Sequence, residues 1–398
     1  MPPSNEDAIR QLREAYRRNN LTLYLGAGVS VDSRLPTWEK LVLAMFFSTI
    51  SEEELGGWRP FPNYLFAIAE WYLANGSEPL EITARKLRKY YRKTDDRDEE
   101  GFLKRLHQTL YAGYLDQYSP SPDYLDRSLI RDKNRTLDAV ARLCESSQAG
   151  QEGVRAVISY NYDNLLELAL GDYPCQAVYE NQPIAEKSLP IYHVHGFVPM
   201  YFDDYSSAIG SKGKDIVFTE DQYHRVAGDP YYWSNLVQLD NMAGSVGLMI
   251  GLSLADRNMR RLLDAISHAP LKARNFALLQ QPDRNPPEDR VLDEIHEKAR
   301  QYFDDFQNSG IKSSQSYDSG VFFRAPGIKS DSEPRLKSSQ IDIKGPRYRR
   351  EISGIIEEVK RLGIDQQQYV MGELGITPIW FESFSEIPEI LRQITISL

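Results

Sequence analysis

At 398 residues the chain is long enough to bury a large core without disulfides or structural metals. Its 47 basic and 57 acidic side chains leave a formal net charge of −10, which argues against non-specific attraction to nucleic acid or to an anionic membrane. Two cysteines, Cys144 and Cys175, and six histidines without a cluster exclude a zinc ribbon and a CxxC redox pair.

The opening segment "MPPSNEDAIRQLREAYRRNN" carries acidic residues and no apolar h-region, so a secretory signal is not expected. The nearest approach to a membrane span, "VGLMIGLSLA", falls short of the roughly 18 apolar residues a helix needs to cross a bilayer. A cytoplasmic protein with no membrane attachment and no direct nucleic-acid binding is expected.

In chain order, residues 6 to 19 read as an amphipathic helix with Ile9, Leu12 and Tyr16 on one face. "LTLYL" has the unbroken apolar character of a strand covered on both faces. "TWEKLVLAMFFSTI" then reads as a helix, with Thr37 in the position of its N-cap. From 52 to about 150 there is no strand signal. Aromatic and charged helical patterns such as "EITARKLRKYYRK" and "GFLKRLHQTLYAGYLDQY" point to an inserted helical module.

Strand signals return with "RAVISY", "PIYHV", "VGLMI", "NFALLQ" and "ITPIWF", with helical patterns interspersed among them. Between 282 and 347 the chain turns polar ("NSGIKSSQSYDSG"), which is the composition of a mobile surface insertion. The segment "RYRREISGIIEEVKRLGI" has helical spacing and leads into the last strand. The pattern is that of one α/β domain over 1–398: a Rossmann-like, doubly wound, mainly parallel sheet with the helical module inserted.

In such a sheet, ligands bind beyond the carboxyl ends of the strands. The polar junctions of this chain fall there: Gly26-Ala27-Gly28-Val29-Ser30 after "LTLYL", Asn161-Tyr162-Asp163 after "RAVISY", His195-Gly196 after "PIYHV", and Gly251-Leu252-Ser253 with Asp256 after "VGLMI". Gly-Ala-Gly alone does not make a dinucleotide fingerprint, which would place glycine where Val31 stands, and the Walker Gly-Lys-Ser/Thr ending is absent. The glycines permit positive φ and close backbone approach, so they fit either a tight packing turn or amides turned toward a diphosphate.

Asn161 and Asp163 are polar groups at a strand end, and Asp163 equally suits the cap of the helix "NLLELAL". His195, beside a glycine at a strand end, is the better base of the two histidines in "YHVHG"; His193 is expected on the same face and deeper. Asp256 reads as the cap of "RNMRRLLDAI", and Ser253 suits either a phosphate contact or a turn.

These four segments, in this order, resemble the sirtuin family, whose nucleotide-binding domain carries Gly-Ala-Gly-Ile-Ser, Thr-Gln-Asn-Ile-Asp, His-Gly and Gly-Thr-Ser. Where sirtuin deacylases continue with Gly-Ile-Pro-Asp-Phe-Arg, this chain has Arg34-Leu35-Pro36-Thr37-Trp38-Glu39, and the zinc-binding cysteines are missing. The helical insertion and the Leu-Pro-x-Trp sequence look more like the sirtuin-like effectors of bacterial anti-phage defence, which hydrolyse NAD⁺.

The resemblance implies an NAD⁺ glycohydrolase that uses NAD as substrate and needs no metal. In its terms Asn161 and His195 are the catalytic pair, His195 acting as base and Asn161 placing ribose and water. Gly26, Ala27, Gly28 and Ser30 would hold the diphosphate, Asp163 would meet the nicotinamide carboxamide, and Pro36, Trp38, Gly251 and Ser253 complete the NAD contacts. It also implies restraint of the activity, relieved by a homo-oligomer or by an activating partner such as a motor ATPase or a guided nucleic-acid-binding protein. An NAD-dependent deacylase or ADP-ribosyltransferase, and a non-catalytic NAD or ADP-ribose scaffold, are the alternative readings.

Overall fold

The computed structural model describes residues 5–55, 71, 79–92, 99–118, 127–146, 152–201, 216–267, 274–281, 293–294, 298 and 346–395. Much of the expected 52–150 module and nearly all of the expected 282–347 insertion lie outside these residues. The chain divides into two compact units, Met1–Gln281 with Val370–Leu398, and Pro282–Tyr369.

The first unit is built on seven parallel strands: β1 (Leu21–Leu25), β2 (Val154–Ser159), β3 (Cys175–Val178), β4 (Leu189–His193), β5 (Val246–Ile250), β6 (Arg274–Gln280) and β7 (Ile376–Phe381). Their order is β3-β4-β2-β1-β5-β6-β7. Central β1 is buried at all five positions, as its unbroken apolar sequence requires. Strand β3, "CQAV", is not foreseen by the sequence. It is a short edge strand, half-buried at three of its four residues, and therefore carries no apolar run.

Side chains leave the sheet alternately, so two cores form. Leu21, Leu23 and Leu25 enter one of them. There they meet Ile9, Leu12 and Tyr16 of α1 (Asn5–Arg17) and Leu391 and Ile394 of the last helix (Ile387–Thr395). Tyr24, Ile158 and Met249 enter the other, under Met259, Leu262 and Ile266 of the helix Arg257–Ser267.

The described part of the helical stretch comprises Trp38–Leu55, Leu80–Arg92, Glu100–Tyr118, Arg127–Lys133 and Arg135–Glu145. It is not a body with a core of its own: Phe102, Leu106, Tyr111 and Val140 belong to the same apolar cluster as β1. Among the described residues no helix is long and apolar enough to cross a membrane.

One contact from this stretch positions the candidate site. Asn134 is fully buried and caps the helix Arg135–Glu145, its Oδ1 accepting from the Leu137 amide at 2.9 Å. Its Nδ2 donates to the Val29 carbonyl at 2.7 Å and to Ser33 Oγ at 2.9 Å, fastening the turn after β1. Asn134→Ala removes a cap and strands a buried carbonyl, so it should cost about 2–4 kcal/mol. Equilibrium urea unfolding measures this directly, and an unchanged midpoint would remove the anchoring role.

Candidate functional site

Because all seven strands are parallel, their carboxyl ends lie along one edge of the sheet. Register sets Leu25 of β1 beside both Ser159 of β2 and Ile250 of β5, and sets Ser159 beside His193 of β4. The four junctions singled out in the sequence therefore emerge next to one another. The chain leaves β1 toward β2 and leaves β5 toward β6, in opposite directions, so the topological switch point falls between β1 and β5.

At that point the glycines are required by each other. A Cβ on Gly26 would lie 2.5 Å from the Gly251 carbonyl oxygen, and one on Gly28 would lie 2.7 Å from the Gly251 Cα. Gly251 itself has φ +67°, and a Cβ there would come within 2.6 Å of the Val29 nitrogen. The amides of Gly26 and Gly28 donate to the carbonyls of Ile250 (3.0 Å) and Gly251 (2.9 Å), while those of Val29 and Ser30 donate back within the turn. Close packing of two strand ends is thus the first role of Gly-Ala-Gly.

The turn does not run directly into a helix. It consists of the 3-10 turns Ala27–Val29 and Val31–Ser33, and the following helix begins at Trp38. Ala27 and, in the loop after β5, Leu252, Ser253 and Leu254 are among the residues whose amides have no acceptor among the described residues. Ser253 is exposed, and its Oγ accepts weakly from the Ala255 amide at 3.4 Å.

Asn161 spans two of the junctions. Its Nδ2 donates to the Gly26 carbonyl at 3.1 Å and to Ser30 Oγ at 3.2 Å, which leaves Oδ1 without a partner among the described residues. Asp163 is buried and committed within the protein. Oδ1 accepts from the Leu165 amide at 3.1 Å, as a helix cap does, and Oδ2 accepts from Ser30 Oγ at 2.9 Å.

The two histidines do not share a face, contrary to the alternation expected for "YHVHG". Strand β4 ends at His193, and a turn closed by the Gly196 amide on the His193 carbonyl (3.1 Å), with Gly196 at φ +102°, redirects His195. His193 meets Asn161 and Glu167. His195 instead packs edge-on between the rings of Tyr160 (5.2 Å) and Tyr223 (5.5 Å), and its Nε2 lies 3.4 Å from Asp256 Oδ2.

Asp256 does cap its helix, Oδ1 accepting from the Met259 amide at 2.7 Å, so one carboxylate serves both helix and imidazole. Trp38 lies 6.2 Å from Phe218, whose ring lies 6.2 Å from Tyr162; the Trp38 indole N–H is buried without an acceptor among the described residues. Pro36 is half-buried just ahead of that helix.

Residues 155–302, which run from β2 past β6 and include Asn161, His195 and Gly251, match the family model of the SIR2-like domain. The chain carries a SIR2-like domain. No curated protein matches the chain. SIR2-like domains are typically NAD-dependent enzymes, which ties this one to NAD chemistry. The matched region begins after β1, and it is the fold that inserts the Gly26–Ser30 turn between the ends of β2 and β5.

The electrostatics of the SIR2-like site set its histidines apart. Burial pushes the His195 pKa down, and Asp256 and the Tyr160 main chain recover only part of that shift, so the imidazole is neutral at pH 7. Burial also opposes charge on His193, but there Glu167, by charge and hydrogen bond, outweighs it and the net shift is upward. Asp163 is pushed up by burial against its two donors. Burial raises the phenols of Tyr160, Tyr162 and Tyr223, which remain protonated.

Sequence reading did not find the Asp256–His195 pairing, the tyrosines around His195, the Glu167–His193 pair or the Asn134 anchor. None of these pairs has a spacing signal, since the partners lie on different elements. Among the described residues no group of three or more His, Cys, Asp or Glu side chains is placed to hold a metal ion.

Proposed function

We propose that this protein is an NAD⁺ glycohydrolase: it breaks the bond between nicotinamide and ribose, adds water to the ribose carbon, and releases nicotinamide, ADP-ribose and a proton. The observation that carries the reading is that a fixed Asn161 amide and a neutral, buried His195 both stand at the carboxyl edge of one parallel sheet, the first held by the turn after β1 and the second beside Asp256 of the loop after β5. Groups still wanting partners fit a dinucleotide: Asn161 Oδ1, the buried Trp38 indole N–H, and the amides of Ala27 and Leu252–Leu254.

In this reading Asn161 is held from the Gly26 and Ser30 side, so its free oxygen is oriented before the ribose and water arrive. His195 accepts a proton from a ribose hydroxyl or from water, with Asp256 beside Nε2 to stabilise the resulting imidazolium. The Ala27 amide and the loop after β5 supply N–H groups for the diphosphate, a share wider than Gly26–Ser30 alone. Asp163, committed to Ser30 and Leu165, shapes the turn and is not free for the carboxamide.

Activity should follow the neutral form of His195. Because its folded pKa lies below the usual 6.5, the acidic limb of kcat/KM should fall below pH 6.5. In Asp256→Asn the carboxylate that raises this pKa is gone while the cap oxygen remains, so the limb should move further down. A profile that rises only above pH 7, or a limb that moves up in the variant, would remove His195 as the base.

The biological role proposed is that of an NAD⁺-depleting effector in bacterial anti-phage defence, restrained until it assembles or meets an activating partner. The test is chromatographic detection of nicotinamide and ADP-ribose from NAD⁺ with the full-length protein, alone and with the product of the neighbouring gene. Release of both products supports the reading. Stabilisation by NAD⁺ that stays intact in both conditions would favour a scaffold and overturn it.

A further inference from the structure

The Glu167–His193 pair has no part in the chemistry just described, yet it is buried beside it. His193 is 1% exposed, and its Nε2 lies 2.7 Å from Glu167 Oε1. Its Nδ1 lies 3.2 Å from the main-chain carbonyl oxygen of Asn161. The Phe197 ring closes over it edge-on at 4.6 Å and is itself stacked on Tyr179 at 5.3 Å. Below the pair is a cavity of about 10 Å³, room for about one water molecule, lined by Ser30, Ser159, Asn161, Asp163, Glu167 and His193 among others. Glu167 Oε2 is buried with no hydrogen-bond partner among the described residues.

We propose that His193 and Glu167 form a positioning pair that fixes the Asn161 segment for the cleavage reaction, an inference that rests on Asn161 acting in that reaction. The geometry requires two donors. A carboxylate oxygen and a backbone carbonyl both accept, and a neutral imidazole has only one N–H to give, whereas the imidazolium has two. Packing does not account for the arrangement, because a buried ion pair adds little net stability over apolar side chains of the same size. What it does is hold the Asn161 main chain from one side while Gly26 and Ser30 hold the side chain from the other.

The charged groups facing His193 are Glu167 of the helix Leu165–Leu170 and Asp163 ahead of it, both of which favour its protonated form. Tyr111, from the helix Glu100–Tyr118, lies near both carboxylates, and Cys175 of β3 lies near Glu167; both are kept neutral by burial. As pH rises through the raised His193 value one N–H is lost and Asn161 is released, so the pair should set an alkaline limb on kcat.

Glu167→Gln keeps an acceptor oxygen but removes the charge that holds the imidazolium. The alkaline limb should move down by about one pH unit or more, which is a roughly tenfold lower kcat on that limb. KM should stay within about twofold, and kcat should approach that of the unaltered protein below pH 6, as expected when a change acts on the protonated state of one group. Imidazole ¹⁵N resonances of the full chain should show His193 titrating at lower pH in the variant, with the Asn161 amide resonance following that titration in both proteins.

The resonance test needs no turnover, so it stands even if NAD⁺ proves not to be cleaved. The proposal is overturned if His193 titrates alike in both proteins, if the Asn161 amide ignores the titration, or if kcat falls equally at every pH. Should Glu167→Gln not fold, His193→Gln replaces it: the alkaline limb should vanish and the Asn161 amide resonance should lose its pH dependence, and an unchanged limb or an unchanged Asn161 titration overturns the proposal.

Discussion

Asn161→Ala should lower the rate of nicotinamide release from NAD⁺ on the order of a hundredfold or more, the loss typical when a preorganised polar group is taken from a reacting centre. The variant also frees the Gly26 carbonyl and Ser30 Oγ from the bonds they now accept at 3.1 and 3.2 Å. His195→Ala should fall in a similar range, roughly a hundred- to ten-thousandfold, as a lost general base.

If the two side chains act on one event, the double variant should be little worse than the poorer single one. Initial rates by chromatography, with thermal unfolding run on each variant to show that it is folded, decide the matter. Either single variant retaining a third of the original rate would exclude that residue from the chemistry.

Gly251→Ala should be strongly damaging although it adds only one methyl group. Gly251 sits at φ +67°, which costs an alanine about 1–2 kcal/mol before any contact is counted. The new Cβ would also meet main-chain atoms of Val29 and Gly28 at 2.6 and 2.8 Å, and backbone cannot step aside as a flexible side chain can. A total of roughly 3–5 kcal/mol is expected, in the range of strained-backbone and overpacking changes.

Gly228→Ala is the control. Gly228 is the last residue of the helix Glu220–Gly228, and a Cβ there meets nothing within 4 Å. That change should be neutral or stabilising by up to about 1 kcal/mol. Urea midpoints followed by circular dichroism compare the two. Similar midpoints would mean that the β1 and β5 loops can separate without cost.

Strands covered on both faces were readable from sequence because burial leaves an unbroken apolar run: "LTLYL" and "VGLMI" became β1 and β5, and "ITPIWF" was apolar enough to mark the edge strand β7 as well. Strand β3 was not, because an edge strand needs no such run. The strand-end positions of Asn161, His195 and Gly251 were readable for the same reason that the strands were. Their partners were not: Asp256 beside His195, Glu167 beside His193 and Asn134 beneath Val29 are joined only when helices return across the sheet. The alternation rule that set His193 and His195 on one face held only as far as β4 itself, which stops at His193.

By itself the sequence determined the parallel α/β fold and the edge of the sheet where chemistry would gather, because apolar periodicity and helix alternation are local properties. The tertiary structure decided what each polar group does there. It assigned Gly26, Gly28 and Gly251 to one another, committed Asp163 to Ser30, and divided the histidines into one whose pKa burial lowers and one whose pKa Glu167 raises. Those outcomes depend on distances of a few ångströms between residues far apart in the chain, and on the burial that makes such distances count electrostatically.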